Sequence, residues 1–277
     1  MNPILPVCCS SPAFEALSSH KNAMEEVESL LLAAVAIAQH AMPEARVDDV
    51  QQQLDDIAHT ISSQVHGVQT QGKFAHMHEH LFVDLGFVGN SRDYYDPGNS
   101  MLPAVLATRK GLPIALSLVY KLVADRLGLS CWGVGLPGHF VTGINLNGKT
   151  TFIDAFAGGS ILSVEEAKAR LATQFGSKLE WSDRLVEPVS NRYWITRLLQ
   201  NLLMAYTRTG EFQHVSAVLE MELVLWPEET RLQRDMAIVL ARIGKGDLAS
   251  QWLDLYLHNN PDDPQSNDLR QILHKTI

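Results

Sequence analysis

Two apolar runs, residues 140–146 and 150–156, are joined by Asn145-Leu146-Asn147-Gly148. An Asn-Gly pair readily adopts the positive φ angles of a tight two-residue turn, so the runs read as a β-hairpin. The hairpin brings together two residues with chemistry. His139 lies in Leu136-Pro137-Gly138-His139-Phe140, and Asp154 in Phe152-Ile153-Asp154-Ala155-Phe156. A base and its orienting carboxylate on neighbouring strands is the way thiol acyl-transfer sites are assembled. Whether a nucleophile accompanies them decides between an enzyme and a binding module.

The rest of the first 187 residues reads as mainly helical. Residues 30–38 are apolar throughout and predict a helix buried on all sides, ended by Met42-Pro43. Val47, Val50, Leu54, Ile57 and Ile61 recur at three and four residues, the mark of an amphipathic helix. Residues 86–100 are rich in Gly, Asn, Asp and Pro and read as an ordered loop. A third helix spans residues 112–127. Pro113 sits in its first turn, where the missing N–H costs nothing, and Gly128 closes it. Residues 131–136 form a strand ahead of the hairpin. Ser163-Val164-Glu165-Glu166 is a capping box that opens another helix. The expected fold is α+β, with one helical part over 12–85, then a core helix and small antiparallel sheet over 86–187.

Glu187-Pro188-Val189-Ser190-Asn191 reads as a linker into an all-α region, 188–277. There the chain repeats itself. Gly210 aligns with Gly244, Pro227 with Pro261, Tyr206 with Leu240, Leu219 with Leu253 and Leu223 with Leu257, each pair 34 residues apart. That is the period of a tetratricopeptide helix pair. The stripe Trp194, Leu198, Leu199, Leu202, Leu203 and Tyr206 reads as core, and Trp226, Trp252 and Tyr256 as packing between repeats.

Composition narrows the function. Thirty-one acidic against 22 basic residues give a net charge of −9, and no basic run occurs, which disfavours nucleic acid. The longest apolar run falls well short of the ~20 residues a membrane span needs. Residues 1–11 lack the basic-then-apolar pattern of a signal peptide. Three cysteines, Cys8, Cys9 and Cys131, cannot build a disulfide framework and fit a reducing cytoplasm.

The order of core helix, His139 strand and Asp154 strand resembles the transglutaminase-like core, a papain-related thiol-enzyme fold. In that family a Gly-x-Cys turn starts the buried helix. Here Gly111-Leu112-Pro113 stands in its place, and Gly128-Leu129 follows 15 residues after Pro113, the family's spacing. The resemblance therefore puts Pro113 at the nucleophile position, with His139 and Asp154 at the other two. The chain also resembles the SirB-type bacterial family, which joins a transglutaminase-like domain to tetratricopeptide repeats. Gly86-Phe87-Val88-Gly89-Asn90, Tyr95-Asp96-Pro97-Gly98-Asn99-Ser100, Arg109-Lys110-Gly111-Leu112-Pro113-Ile114 and Ile153-Asp154-Ala155-Phe156-Ala157-Gly158-Gly159 carry that likeness.

Proline cannot act as the nucleophile. Ser117, one turn further along, and Cys131, on the following strand, are the substitutes to weigh; both read first as buried structural residues. His76, His78, His80 and Glu79 make an incomplete metal set, and no metal or cofactor is expected. Asp93-Tyr94-Tyr95-Asp96 is a polar aromatic loop, so Tyr95 and Asn99 join His139 and Asp154 as candidate cleft residues. The leading expectation is a cytoplasmic, monomeric, non-catalytic adaptor that binds a protein or peptide through its repeats, and a peptide or small anion in the old cleft. The alternatives are a divergent hydrolase or acyltransferase using His139, and a purely structural platform for the repeats.

Overall fold

The computed structural model describes residues 5–26, 28–65, 70–146, 148–175, 181–264 and 269. In its first half lie α1 (Ser11–His20), α2 (Ser29–Gln39), α3 (Val47–Gln64), α4 (Thr70–Glu79), β1 (Val88–Gly89), α5 (Leu102–Thr108), β2 (Lys110–Gly111) and α6 (Pro113–Arg126). Then come β3 (Cys131–Val134), β4 (Val141–Leu146), β5 (Lys149–Asp154), β6 (Ser160–Leu162) and α7 (Val164–Phe175). The helices α8 (Asn191–Thr209), α9 (Phe212–Leu225), α10 (Thr230–Arg242) and α11 (Gly246–Asn259) follow. The chain forms two compact units, Ala45–Trp194, and Met1–Glu44 with Ile195–Ile277.

The first unit is organised by α6. Every residue from Pro113 to Ala124 except Lys121 is buried. Pro113 takes the first helical position, as its fixed φ allows. At the other end Gly128 adopts φ +69° and the Leu129 N–H returns to the Ala124 carbonyl at 2.9 Å, which closes the helix as read from sequence. Helices α3 and α5 and strands β3 and β4 pack against α6. Val50, Leu54, Ile57 and Ile61 form the buried face of α3 that their spacing predicts.

The sheet order is β3-β4-β5-β6, all antiparallel. Leu146 faces Lys149, so the hairpin link is two residues long; Gly148 has φ +79°, and Asn147 lies outside the described residues. The Ser163 capping box closes in both directions: Glu166 N–H donates to Ser163 Oγ at 3.2 Å, and Ser163 N–H to Glu166 Oε2 at 2.7 Å. Strand β6 and the parallel pair β1–β2 were not legible in the sequence, because strands of two or three residues are too short to show alternation.

The linker reading of residues 187–191 needs correction. Val189 N–H donates to the Gly133 carbonyl of β3 at 3.0 Å, and Trp194 lies buried in the same unit. The Trp194 ring sits where a Cβ on Gly133 would lie, 2.4 Å away, and its indole N–H donates to the Ile114 carbonyl at 3.2 Å. This unit therefore runs on to Trp194, past the break read at 187/188.

The second unit holds the repeat and also the first 44 residues, which the sequence reading had placed in the other domain. The helical hairpins are related bond by bond at 34 residues. Gly210 and Gly244 turn at φ +77° and +76°. Glu211 N–H to Tyr206 O and Lys245 N–H to Leu240 O are both 2.9 Å, as are Trp226 N–H to Glu222 O and Asn260 N–H to Tyr256 O. The N-terminal segment is tied in by a buried carboxylate. Glu220 accepts the backbone N–H groups of Val7 (2.9 Å), Cys8 (2.9 Å) and Cys9 (3.0 Å) and the Ser216 hydroxyl (3.2 Å). No periodicity reveals such a pairing between residues more than 200 positions apart.

Glu222, two residues on, is buried without an aligned hydrogen bond to either oxygen, and Arg231 Nη2 stands 4.0 Å away. Burial pushes its carboxyl up to about 7, Arg231 and Gln200 offsetting this only in part. The folded chain therefore holds this proton more tightly than the unfolded chain, and its stability falls as pH rises from about 4.5 to 7. Glu222→Gln should stabilise the protein by about 2–3 kcal/mol at pH 8, with the gain vanishing near pH 4.5, as read by urea unfolding at both values.

Candidate functional site

His139 is placed by a turn. Leu136 to His139 close through His139 N–H to Leu136 O at 3.0 Å, with Pro137 at the second position and Gly138 at φ +70° at the third. This sets His139 just ahead of β4. Asp154 ends β5, and its Oδ1 accepts the Ala157 N–H at 3.1 Å, which starts the return into β6. The hairpin then brings the two side chains together as its register requires, with His139 Nε2 3.0 Å from Asp154 Oδ2. The ring is turned off the hydrogen-bonding line, so the contact is an ion-pair distance without full alignment.

A third residue completes the cluster. Arg170 of α7 reaches the same Asp154 oxygen at 3.2 Å. The Asp154 side chain is 4% exposed, against 28% for His139 and 53% for Arg170. Burial raises the Asp154 carboxyl, but His139, the Ala157 N–H and Arg170 together outweigh it and hold the group below its ordinary range. Sequence reasoning missed Arg170. Its position in a capped helix was legible, but nothing local says which carboxylate the helix will face.

An aromatic wall extends from His139. Its ring meets Phe156 edge-on at 6.4 Å, Phe156 meets Tyr94 at 6.1 Å, and Tyr94 meets Tyr95 at 5.3 Å. Phe156 lies flat over Gly89, where a Cβ would approach the ring to 2.5 Å. Tyr95 is thus linked to His139 through Tyr94, of the same loop read from sequence, and Phe156, which was not singled out as a cleft residue.

Asn99 is placed differently from its sequence expectation. Its Nδ2 donates to the carbonyls of Asp93 (2.6 Å) and Tyr94 (3.2 Å), and its Oδ1 accepts from Asn90 (3.0 Å). Its backbone carbonyl takes the Leu112 N–H at 2.9 Å. Asn99 therefore fastens the aromatic loop to the start of α6. It borders a cavity of 410 Å³ whose walls include Asn90, Asp96, Thr108 and Lys110 but not Tyr95, His139 or Asp154.

Each of the weighed nucleophile positions, Pro113, Ser117 and Cys131, is buried. Pro113 is buried at the head of α6 and carries no reactive atom. Ser117 is fully buried, and no acceptor lies within reach of its Oγ, so no base is in place to take its proton. Burial pushes the Cys131 thiol well above the ordinary thiol range, raises that of Cys8, and pushes Cys9 up to about 12. The histidine triplet also disperses. His80 pairs with Asp84 at 2.9 Å, while His78 packs between Phe74 and Phe82. Among the described residues no three His, Cys, Asp or Glu side chains converge as a metal site, and no helix is long and apolar enough to cross a membrane.

A buried helix, an antiparallel sheet and a His–Asp pair at its strand ends define a transglutaminase-like arrangement. A family model described as the transglutaminase-like superfamily matches residues 48–200, and the chain belongs to that family. It is 32% identical over 193 residues to a UPF0162 protein of Xylella fastidiosa, covering 68% of each chain. A UPF0162 protein of Vibrio cholerae is 23% identical over 207 residues, 74% of this chain and 76% of that one. F-box only protein 21 of Homo sapiens is 26% identical over 242 residues, 75% of this chain but 38% of that protein. No solved structure matches.

The depressed Asp154 carboxyl stabilises the fold above its unfolded value near 3.8, and that contribution is lost as pH falls through the lower folded value. Asp154→Asn should cost about 2 kcal/mol at pH 7, a typical figure for a buried charged hydrogen-bond acceptor, and the deficit should shrink towards pH 3 in urea unfolding.

Proposed function

We propose that this chain is a non-catalytic transglutaminase-like protein of the SirB type, acting as a protein-binding or regulatory adaptor in the cytoplasm. The observation that carries the reading is the proline at position 113, the seat the family gives its nucleophile. The burial of Ser117, Cys9 and Cys131 supports it, since none of these is placed as a ready thiolate or activated hydroxyl. The His139–Asp154–Arg170 cluster with its aromatic wall then serves as a cleft for a peptide or small anion. Tyr95, about two-fifths exposed, and the half-exposed Arg170 offer it an aromatic face and a cation.

The 34-residue helical hairpins supply the second surface, read as tetratricopeptide-like. Stacked helix pairs of that kind present concave faces to partner proteins. The chain acts as a monomer, without cofactor or metal.

A hydrolase or acyltransferase that uses His139 with water is the second reading, favoured by the retained 3.0 Å contact with Asp154. Two measurements decide between them. Purified protein should show no turnover of model amides and esters above a His139→Ala control. A partner recovered on the full-length chain and identified by mass spectrometry should lose at least about tenfold in affinity in a Tyr95→Ala, His139→Ala double variant. Turnover abolished by His139→Ala would instead establish the enzyme.

A further inference from the structure

Four consecutive backbone N–H groups near the N-terminus all donate to side chains. Those of Val7, Cys8 and Cys9 go to Glu220 of α9, and that of Ser10 goes to His40 Nδ1 at 3.2 Å. Ser10 is also the residue before α1, and its carbonyl accepts the Phe14 N–H at 3.0 Å. Residues 7–10 thus form a strap held by titratable acceptors.

The proton positions at the His40 end follow from the hydrogen bonds. Nδ1 of His40 accepts an amide N–H, so it is bare and the ring proton is on Nε2. That Nε2 lies 2.9 Å from His214 Nδ1, which must then accept. The remaining proton of His214 is on its Nε2, which faces Glu211 Oε2 at 3.9 Å. Tyr206 stacks on the His214 ring, with centroids 4.6 Å apart. Both acceptor nitrogens of the pair are therefore already filled by N–H groups. A further proton on His40 Nδ1 would point at the Ser10 N–H. One on His214 Nδ1 would point at the Nε2–H of His40. Among the described residues, the charges nearby include Glu211 beside His214, Glu220 beneath the strap and Lys245 near Cys8.

We propose that residues 7–10 are an acid-released strap: proton uptake by His40 unhooks Ser10 and loosens the strap on α9. Burial and the neighbouring His214 hold the His40 ring below its ordinary range, in keeping with a folded state that resists the proton. The closed strap is accordingly stable at neutral pH and weakens as pH falls below the ordinary histidine value of about 6.5. Leu5, just ahead of the strap, walls a groove of 450 Å³ with Leu223, Gln233 and Trp252, so release removes one side of that groove.

The test is amide hydrogen exchange by NMR on the full chain between pH 7.5 and 5.5, with rates normalised to intrinsic exchange. Normalised exchange at Val7 to Ser10 should rise about tenfold per pH unit as pH falls below about 6.5 and level off at the strap's opening midpoint, while amides of α10 and α11 stay unchanged. His40→Gln keeps an acceptor for Ser10 and a donor for His214 but cannot titrate, and should hold the strap closed throughout. The His40 ring, followed by its own resonances in the unaltered chain, should titrate with the same midpoint as the strap. Flat exchange across the range, an undiminished acid response in His40→Gln, or a His40 midpoint away from that of the strap would each overturn the proposal.

Discussion

A helix that is apolar on nearly every side can persist in water only when it is surrounded, and α6 is such a helix. Its enclosure dictates the rest of the Ala45–Trp194 unit. The amphipathic face of α3 covers it from one direction, α5 from another, and the sheet closes over it with β3 and β4. Trp194 then seals the unit against Gly133 and the Ile114 carbonyl in the first turn of α6. The His139–Asp154–Arg170 cluster is a consequence of this arrangement. It lies at the strand ends of the covering sheet, and Asn99 ties its aromatic loop to the residue before α6.

Three buried carboxylates show how differently one chain can treat the same group. Asp154 lies 3.0 Å from His139 and 3.2 Å from Arg170, and its carboxyl is held below its ordinary range. Glu220 is cradled by three backbone N–H groups and a hydroxyl, and so fastens the N-terminal segment. Glu222 has only the more distant Arg231, at 4.0 Å, and partial help from Gln200, and burial drives its carboxyl up to about 7. The first belongs to a site, the second to architecture, and the third is a standing cost to stability above neutral pH.

What was legible in the sequence was local. The Asn-Gly hairpin, the Pro113 and Gly128 limits of α6, the Ser163 capping box and the 34-residue spacing of Gly210 and Gly244 are each set by residues within one turn or one period. The meeting of His139 with Asp154 followed from the hairpin. What was not legible was long-range. Arg170 reaching Asp154, Val189 bonding Gly133 and Glu220 gathering Val7 to Cys9 all depend on how finished elements pack, which no short-range pattern encodes. The domain boundary moved for the same reason, since the first 44 residues carry ordinary helical patterns that do not name their packing partner.

We propose that the transglutaminase-like frame surrounds a nucleophile seat occupied by proline. The most direct measurement is the pH dependence of iodoacetamide alkylation in Pro113→Cys. The three native cysteines, with their raised thiols, give only a slow background. At the head of α6 and served by His139, the introduced thiol should react with a midpoint near or below pH 7, against about 8.5 for a free cysteine. A midpoint at or above the free value would contradict the account, because position 113 would then not be the seat that His139 and Asp154 serve.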